Sequence, residues 1–421
     1  MESALTHHSN KQTRIAGRLW LLFLVASSLA EGQQANEVRR VRPTVILISI
    51  DGFRNDYLEN TTCPNLRRLA SEGVRAQWMI PVFPSKTFPN HYSIVTGLYA
   101  ENHGVVGNTM YDPVFDVVFT MRKREEVVNS RWWGGEPIWA TAEKQGQVSA
   151  TYFWPGSEAL IATKRPSHWL KYDGSVPYGD RVRQVLNWID YPEGQRPTLI
   201  SLYFEEVDHA GHDYGPIFSA VDTAVKTVDA ALGMLVNGLE DRGLLDEVNI
   251  IVVSDHGMAP VEKSRTIWLD DYLSPDSVSV VDWGIVVSLW PREDRVDEVF
   301  HSVAKAHPRM KAYRKHEIPD RWHYRNNRRI APILLVADEG WTIARKNGGT
   351  WRRSDNGGNH GFDNQSVSMR ALFVARGPAF RSGIVLGPFE NVNVYSLMTH
   401  LLSLAPAPND GTFRVFDGAL R

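Results

Sequence analysis

Runs of apolar, largely β-branched residues that stop abruptly at an acid or a histidine recur along the chain. Thr44-Val45-Ile46-Leu47-Ile48-Ser49-Ile50 stops at Asp51-Gly52. Thr198 to Phe204 stops at a stretch holding Glu205, Asp208 and His212, and Asn249-Ile250-Ile251-Val252-Val253 stops at Ser254-Asp255-His256-Gly257-Met258. Apolar runs without polar alternation belong to strands buried on both faces, as in a parallel sheet. Val148 to Trp154 and Ala371 to Ala375 predict two further strands. Helical patterns fall between them: a helix from Pro64 to Ala70, stopped by Glu72-Gly73, then Trp132 to Gly146, Asp180 to Ile189, Ser219 to Leu239 and Val394 to Leu404. In the longest, Val221, Val225, Val228, Leu232, Leu235 and Leu239 form one core-facing stripe. Strands alternating with helices predict an α/β fold, a mostly parallel central sheet flanked by helices.

From about residue 270 to 346 the pattern changes. Strands at Gly284 to Trp290 and Ile330 to Ala337, with a helix from Arg295 to His307, predict a small inserted α+β subdomain of βαβ type. Residues 1–30 carry a different signature. Arg14 and Arg18 precede the apolar run Leu19 to Ala26, and small residues follow through Ala30. That order is the pattern of a signal peptide, and the run is too short for a comfortable membrane span. The expectation is a periplasmic or secreted chain with no stable membrane insertion after processing; an uncleaved anchor is the alternative. Residues 31–42 read as a linker and 43–421 as the folded domain.

Composition narrows the chemistry. Of 421 residues, 43% are hydrophobic and 22% charged, with a formal net charge of −2. No global basic field is available, so duplex nucleic acid is excluded as a bulk partner. Cys63 is the only cysteine. No internal disulfide and no thiolate metal site can form, and the thiol reads as an inert packing residue. A metal would have to be held by His, Asp and Glu.

The strand ends supply those groups. In open α/β sheets, ligands bind at the carboxyl ends of strands, where Asp51, Asp208 with His212, and Asp255 with His256 all fall; His360 adds a loop histidine between Asn359 and Gly361. Taken singly, each has a plain reading: Asp255 as a helix cap, His256 as a surface histidine. Together, six O and N donors suffice for two divalent cations. Two metals about 3.5–4 Å apart commonly clamp the attacking and leaving oxygens of a phosphoryl displacement. In Pro84-Ser85-Lys86-Thr87-Phe88-Pro89-Asn90-His91, Pro89 suits the first turn of a helix running through Asn90 to Thr96. Thr87 then sits just ahead of a helix N-terminus, where an anion is favoured; alone, it reads more simply as an N-cap.

Ile50-Asp51-Gly52, Pro84 to His91, Asn102-His103-Gly104, Asp208-x-x-Gly211-His212, Ser254 to Met258 and His360-Gly361, in that order, resemble the nucleotide pyrophosphatase/phosphodiesterase family of the alkaline phosphatase superfamily, as a bacterial member with a single catalytic domain. The resemblance implies an alkaline phosphatase-like fold and two zinc ions, one held by Asp208, His212 and His360, the other by Asp51, Asp255, His256 and the Thr87 oxygen. It implies Thr87 as nucleophile and Asn108 as a donor to a phosphoryl oxygen, helped by the Phe88 amide. Phe88 and Tyr172 match the nucleobase-stacking pair, Tyr203 matches a further pocket residue, and Trp154 is expected to line the same pocket. The implied activity is hydrolysis of nucleotide phosphodiester and pyrophosphate bonds through a nucleotidyl-threonine. The alternative on the same centre is a lysophospholipid or choline-phosphodiester phosphodiesterase. Implied partners are nucleotides and other small phosphodiesters.

Overall fold

A computed structural model describes residues 43–274, 277–346 and 356–421, so the expected signal segment and linker lie outside the described residues. In chain order the main sheet takes β1 (Thr44–Ile50), β2 (Val74–Ala76), β3 (Ser149–Tyr152), β4 (His168–Leu170), β5 (Leu199–Phe204), β6 (Val248–Val253), β7 (Phe373–Arg376) and β8 (Ile384–Leu386). They lie in the order β8-β2-β7-β6-β1-β5-β3-β4. β7 alone runs against its neighbours, and every other pairing is parallel. The helices named below are α1 (Pro64–Glu72), α2 (Thr87–Thr96), α3 (Ile138–Lys144), α4 (Tyr178–Ile189), α5 (Glu206–Tyr214), α6 (Phe218–Glu240) and α7 (Asn393–Leu401).

The apolar strands are divided between two layers. In β1, Val45 and Leu47 face a cluster that includes Ile94 of α2, Trp139 of α3 and Leu397 of α7. Ile46, Ile48 and Ile50 face the other layer, with Leu66 of α1, Val182 of α4 and Val228 of α6. β6 alternates likewise, Ile251 and Val253 against Ile250 and Val252. Burial on both faces is why these strands carry no polar alternation. Register then aligns their ends: Ser49 pairs with Tyr203 on one side and Val253 on the other, so β5, β1 and β6 finish at one rim.

Four sequence readings change. The stretch after β5, expected only as a strand end, winds into α5, which puts Asp208 and His212 four residues apart on one helix face. The helix α2 begins at Thr87 itself, the residue expected just ahead of its N-terminus. Trp132 to Gly146 breaks into a short turn at Ser130–Trp132 and α3, because Pro137 and the positive φ of Gly135 (75°) separate them. The inserted subdomain is a four-stranded antiparallel sheet, with Ser279–Val281, Val286–Trp290, Ile333–Ala337 and Met310–Arg314 side by side. Val286–Trp290, the helix Val296–Val303 and Met310–Arg314 do form a βαβ path. The unit is split, because Ile333–Ala337 inserts between its two parallel strands.

One buried carboxylate ties the helical layer together. α1 has no cap of its own; Asp229 of α6 accepts from the backbone N–H of Asn65 at 3.1 Å and of Leu66 at 2.8 Å, and from the Asn65 side chain at 2.9 Å. First-turn amides that lack an acceptor are costly when buried. Asp229→Ala is expected to lower unfolding stability by about 1–3 kcal/mol, read as a lower denaturant midpoint with metal content unchanged. An unchanged midpoint would show that Asp229 caps nothing of consequence.

Candidate active site

All six metal-type side chains expected from the strand ends and the glycine loop meet at the rim. His256 Nε2 lies 2.9 Å from Asp255 Oδ2 and 3.5 Å from Asp51 Oδ1. On α5, Asp208 Oδ2 lies 3.5 Å from His212 Nε2, and Asp208 Oδ1 lies 3.6 Å from His360 Nε2. The His256 and His360 rings stack with centroids 3.6 Å apart. Asp208, His212 and His360 form one set of mutually close donors, while Asp51 groups with Asp208 and His256 and also with Asp255 and His91.

The backbone decides which nitrogen each histidine turns inward. Nδ1 of His212, His256 and His360 sits 2.9 Å from the carbonyls of Gly358, Gly257 and Ser85 respectively. A carbonyl only accepts, so Nδ1 carries the hydrogen and donates, leaving Nε2 with its lone pair facing the carboxylates. Close approach makes this arrangement glycine-dependent. A Cβ on Gly358 would come 2.3 Å from the Gly211 carbonyl oxygen, and one on Gly52, at φ +68°, 2.9 Å from the Asp208 Cα.

The electrostatics fit a cation. Asp51 Oδ1, Asp208 Oδ1 and Asp255 Oδ2 are buried with no hydrogen-bond partner. Burial, followed by the Asp255 and Asp208 charges, pushes Asp51 well above the usual carboxylate range. Burial also opposes charge on Asp255, but His256 and His91 outweigh it and hold that carboxyl well below its ordinary value. Burial disfavours protonated His256, and the Asp255 carboxylate more than offsets this, raising its pKa. Burial and the neighbouring His256 and His212 push His360 well below the histidine range, which keeps it neutral. Lone-pair atoms held 2.9 Å apart at His256 and Asp255 are compatible only with a positive charge on them, either a proton or a metal.

Thr87 is the first residue of α2, and its side chain caps nothing. Its Oγ lies 3.4 Å from His256 Nε2. Asn90, one turn on, holds the extended approach to the helix: its Oδ1 accepts from Val82 N–H at 2.7 Å, and its Nδ2 donates to the Pro84 and Lys86 carbonyls. The Phe88 amide, expected to face a phosphoryl oxygen, instead donates to Asn108 Oδ1 at 2.9 Å. Helix first-turn amides need an acceptor, and Asn108 supplies one from a separate loop. Its own Nδ2 has no partner among the described residues.

The expected pocket aromatics divide. Phe88 is buried against Phe119 and Trp133. Tyr172 is 44% exposed, with its ring edge on Phe153, and the two rings do not touch each other. Tyr203, expected as a pocket wall, is buried and donates its phenol hydrogen to Asp51 Oδ2 at 2.6 Å. Trp154 is 1% exposed and donates from its indole to the His91 carbonyl. It forms the floor under α2 rather than a pocket lining, because the end of β3 points it into the helix layer. Cys63 is buried, as expected.

Sequence reasoning overlooked His91. Its Nδ1 donates to the Thr87 carbonyl at 2.9 Å and lies 3.3 Å from Asp255 Oδ2, while Nε2 accepts from Ser49 Oγ at 2.8 Å. The nitrogen near the carboxylates therefore carries a hydrogen, which makes His91 a tie on the start of α2 that faces Asp255 with an N–H rather than a ligand. The available signal was its spacing, one helical turn after Thr87.

A family model described as type I phosphodiesterase / nucleotide pyrophosphatase matches residues 45–363. The chain is 42% identical over 372 residues to bis(5'-adenosyl)-triphosphatase enpp4 of Xenopus laevis, covering 88% of this chain and 80% of that protein. It is 40% identical over 382 residues to ectonucleotide pyrophosphatase/phosphodiesterase family member 3 of Rattus norvegicus, but spans 43% of that longer protein. Among solved structures, an inactive variant of murine ectonucleotide pyrophosphatase / phosphodiesterase 5 in complex with AMP superposes with a TM-score of 0.86. It is 38% identical, and the match covers 90% of this chain and 100% of that one.

The phenol on Asp51 gives a test that needs no turnover. Tyr203→Phe is expected to weaken metal affinity by about tenfold or more, as loss of an orienting partner does, measured by competition with a chromogenic chelator. Unaltered affinity would show that the phenol does not orient Asp51.

Proposed function

Because the chain belongs to the type I phosphodiesterase / nucleotide pyrophosphatase family, we propose that it hydrolyses nucleotide phosphodiester and phosphoanhydride bonds through a covalent intermediate on Thr87. The observation that supports this most directly is the Thr87 hydroxyl, which caps nothing at a helix N-terminus and lies 3.4 Å from His256 Nε2 among six metal-type donors. Fold and family are those of the phosphodiesterases named above. The relatives are nucleotide enzymes by name, which favours nucleotides over lysophospholipids or choline diesters.

The donor set of Asp51, Asp255 and His256 beside Asp208, His212 and His360 suits two zinc ions, with neutral imidazole and carboxylate ligands. Bound there, divalent cations would acidify the Thr87 hydroxyl and neutralise charge on the phosphoryl group and the departing oxygen. Thr87 Oγ gives up its proton to solvent and attacks phosphorus in line, and the bond to the leaving oxygen breaks as the nucleotidyl–threonine ester forms. Water then cleaves the ester and returns the proton to Thr87, releasing a nucleoside monophosphate. Asn108, with its amide N–H groups unengaged, would donate to a non-bridging oxygen as charge develops there. His91 and Asn90 hold the Thr87 turn in place. Phe88 and Tyr172 supply faces for a base, and stacking of this kind tolerates any base.

No helix among the described residues is long and apolar enough to cross a membrane. The ectonucleotidase names of the relatives support export by the N-terminal segment, residues 1–30.

Thr87→Ala is expected to keep its full metal content, measured by elemental mass spectrometry, while kcat falls by at least ~10³-fold. Rapid acid quench of the unaltered enzyme with ATP is expected to leave a nucleotidyl adduct on the peptide containing Thr87. Near-normal turnover in the variant, or an adduct elsewhere, would remove the nucleophile role.

A further inference from the structure

Tyr172 sits on a loop, residues 171–177, between β4 and α4, with no regular structure of its own. A half-exposed ring on such a loop would wander unless something fixed it. One end of the loop is held where Tyr172 N–H donates to Glu158 Oε1 at 3.2 Å, on a carboxylate already paired with Arg124. The other end meets Arg181, which is wholly buried on α4. Arg181 Nε donates to the Val176 carbonyl at 3.1 Å, and Nη1 donates to the Tyr203 carbonyl at 2.9 Å. Both terminal nitrogens grip Glu205, each at 2.7 Å, in a two-point pair.

The same guanidinium lies over the Phe153 ring at 5.0 Å, and Phe153 carries the edge contact to Tyr172 at 5.2 Å. Phe153 adopts φ +70°, a left-handed conformation that bulky residues rarely take. Strain of this kind persists only where surrounding contacts over-determine it. Arg181 therefore touches the end of the Tyr172 loop, the ring beneath Tyr172, the backbone of the residue that binds Asp51, and the residue that opens α5 and leads to Asp208.

A buried, two-point ion pair contributes little net stability against an apolar pair of the same shape. Its use here is positional. We propose that the Arg181–Glu205 pair fixes Tyr172 relative to the Asp51 and Asp208 rim, and so determines how strongly the enzyme prefers diesters bearing a nucleobase on the retained phosphoryl side. The proposal rests on reading Tyr172 as a base wall. Arg181 and Glu205 are positioning residues, acting through Tyr172.

Two substrates with one leaving group isolate the effect: thymidine 5'-(4-nitrophenyl phosphate) and methyl 4-nitrophenyl phosphate. The readout is the ratio of their kcat/KM values. Arg181→Lys is expected to lower this ratio by about tenfold, the scale of one lost base stack, chiefly through a higher KM for the thymidine ester. The paired replacement Arg181→Met with Glu205→Leu, which leaves no lone buried charge, is expected to do the same. In a Tyr172→Ala background neither change should lower the ratio further. A wild-type ratio in both Arg181 variants, or an equal loss for both substrates, or the same drop repeated without Tyr172, would overturn the positioning role while leaving the base wall intact. A wild-type ratio in Tyr172→Ala alone would instead overturn the base wall, and the inference with it.

Discussion

Three carboxylates whose inward oxygens have no hydrogen-bond partner lie together in a buried rim, and the organisation of the site follows from that. Negative charge so concentrated in a low-dielectric interior is tolerated only when protonated or compensated by cations. The rim responds in both ways: Asp51 is pushed toward its neutral form by burial and by its neighbours, and His256 toward its charged form by Asp255. His360 is held neutral between two other histidines. A group of sites whose protonation equilibria are pulled so far apart is one that a divalent cation would resolve at once.

The fold makes this concentration of charge affordable by placing it at the end of the best-buried part of the molecule. β6, β1 and β5 are adjacent and parallel, with registers that end together, so Asp51, Asp255 and the approach to Asp208 are held by backbone ladders. Each of these side chains is then fixed again from behind. Backbone carbonyls set the tautomers of His212, His256 and His360, Tyr203 holds Asp51, and Asp255 Oδ1 accepts from Gly52 N–H. Thr87 is held by two residues of its own helix: Asn90 fastens the segment before it, and His91 ties its carbonyl to Ser49 of β1. The inserted sheet joins through Lys86, whose ammonium pairs with Asp282 one residue before the threonine.

Much of this is legible in the linear sequence, for a physical reason. A strand buried on both faces has to be apolar throughout, so an acid at its end stands out, and Asp51, Asp255 and His256 are found without coordinates. The sheet class follows from the same runs. What stays hidden is whatever depends on a second element. Tyr203 and Trp154 are expected in the pocket from the family resemblance, yet one hydrogen-bonds a carboxylate and the other supports a helix. Asn108 reads as a phosphoryl donor, but the amide it first satisfies is that of Phe88. Asp229 gives no sign that it caps a helix some 160 positions earlier. In the inserted subdomain the strand and helix pattern is visible, but nothing local reveals that Ile333–Ala337 enters between its two parallel strands.

The proposed chemistry depends on how many cations the rim holds and which side chains hold them. Crystals of the zinc-loaded protein, measured on both sides of the zinc absorption edge, answer both questions at once. Two anomalous peaks about 3.5–4 Å apart are expected, one among Asp208, His212 and His360, the other among Asp51, Asp255 and His256. A single peak, or a second peak ligated by His91 in place of His256, would contradict it.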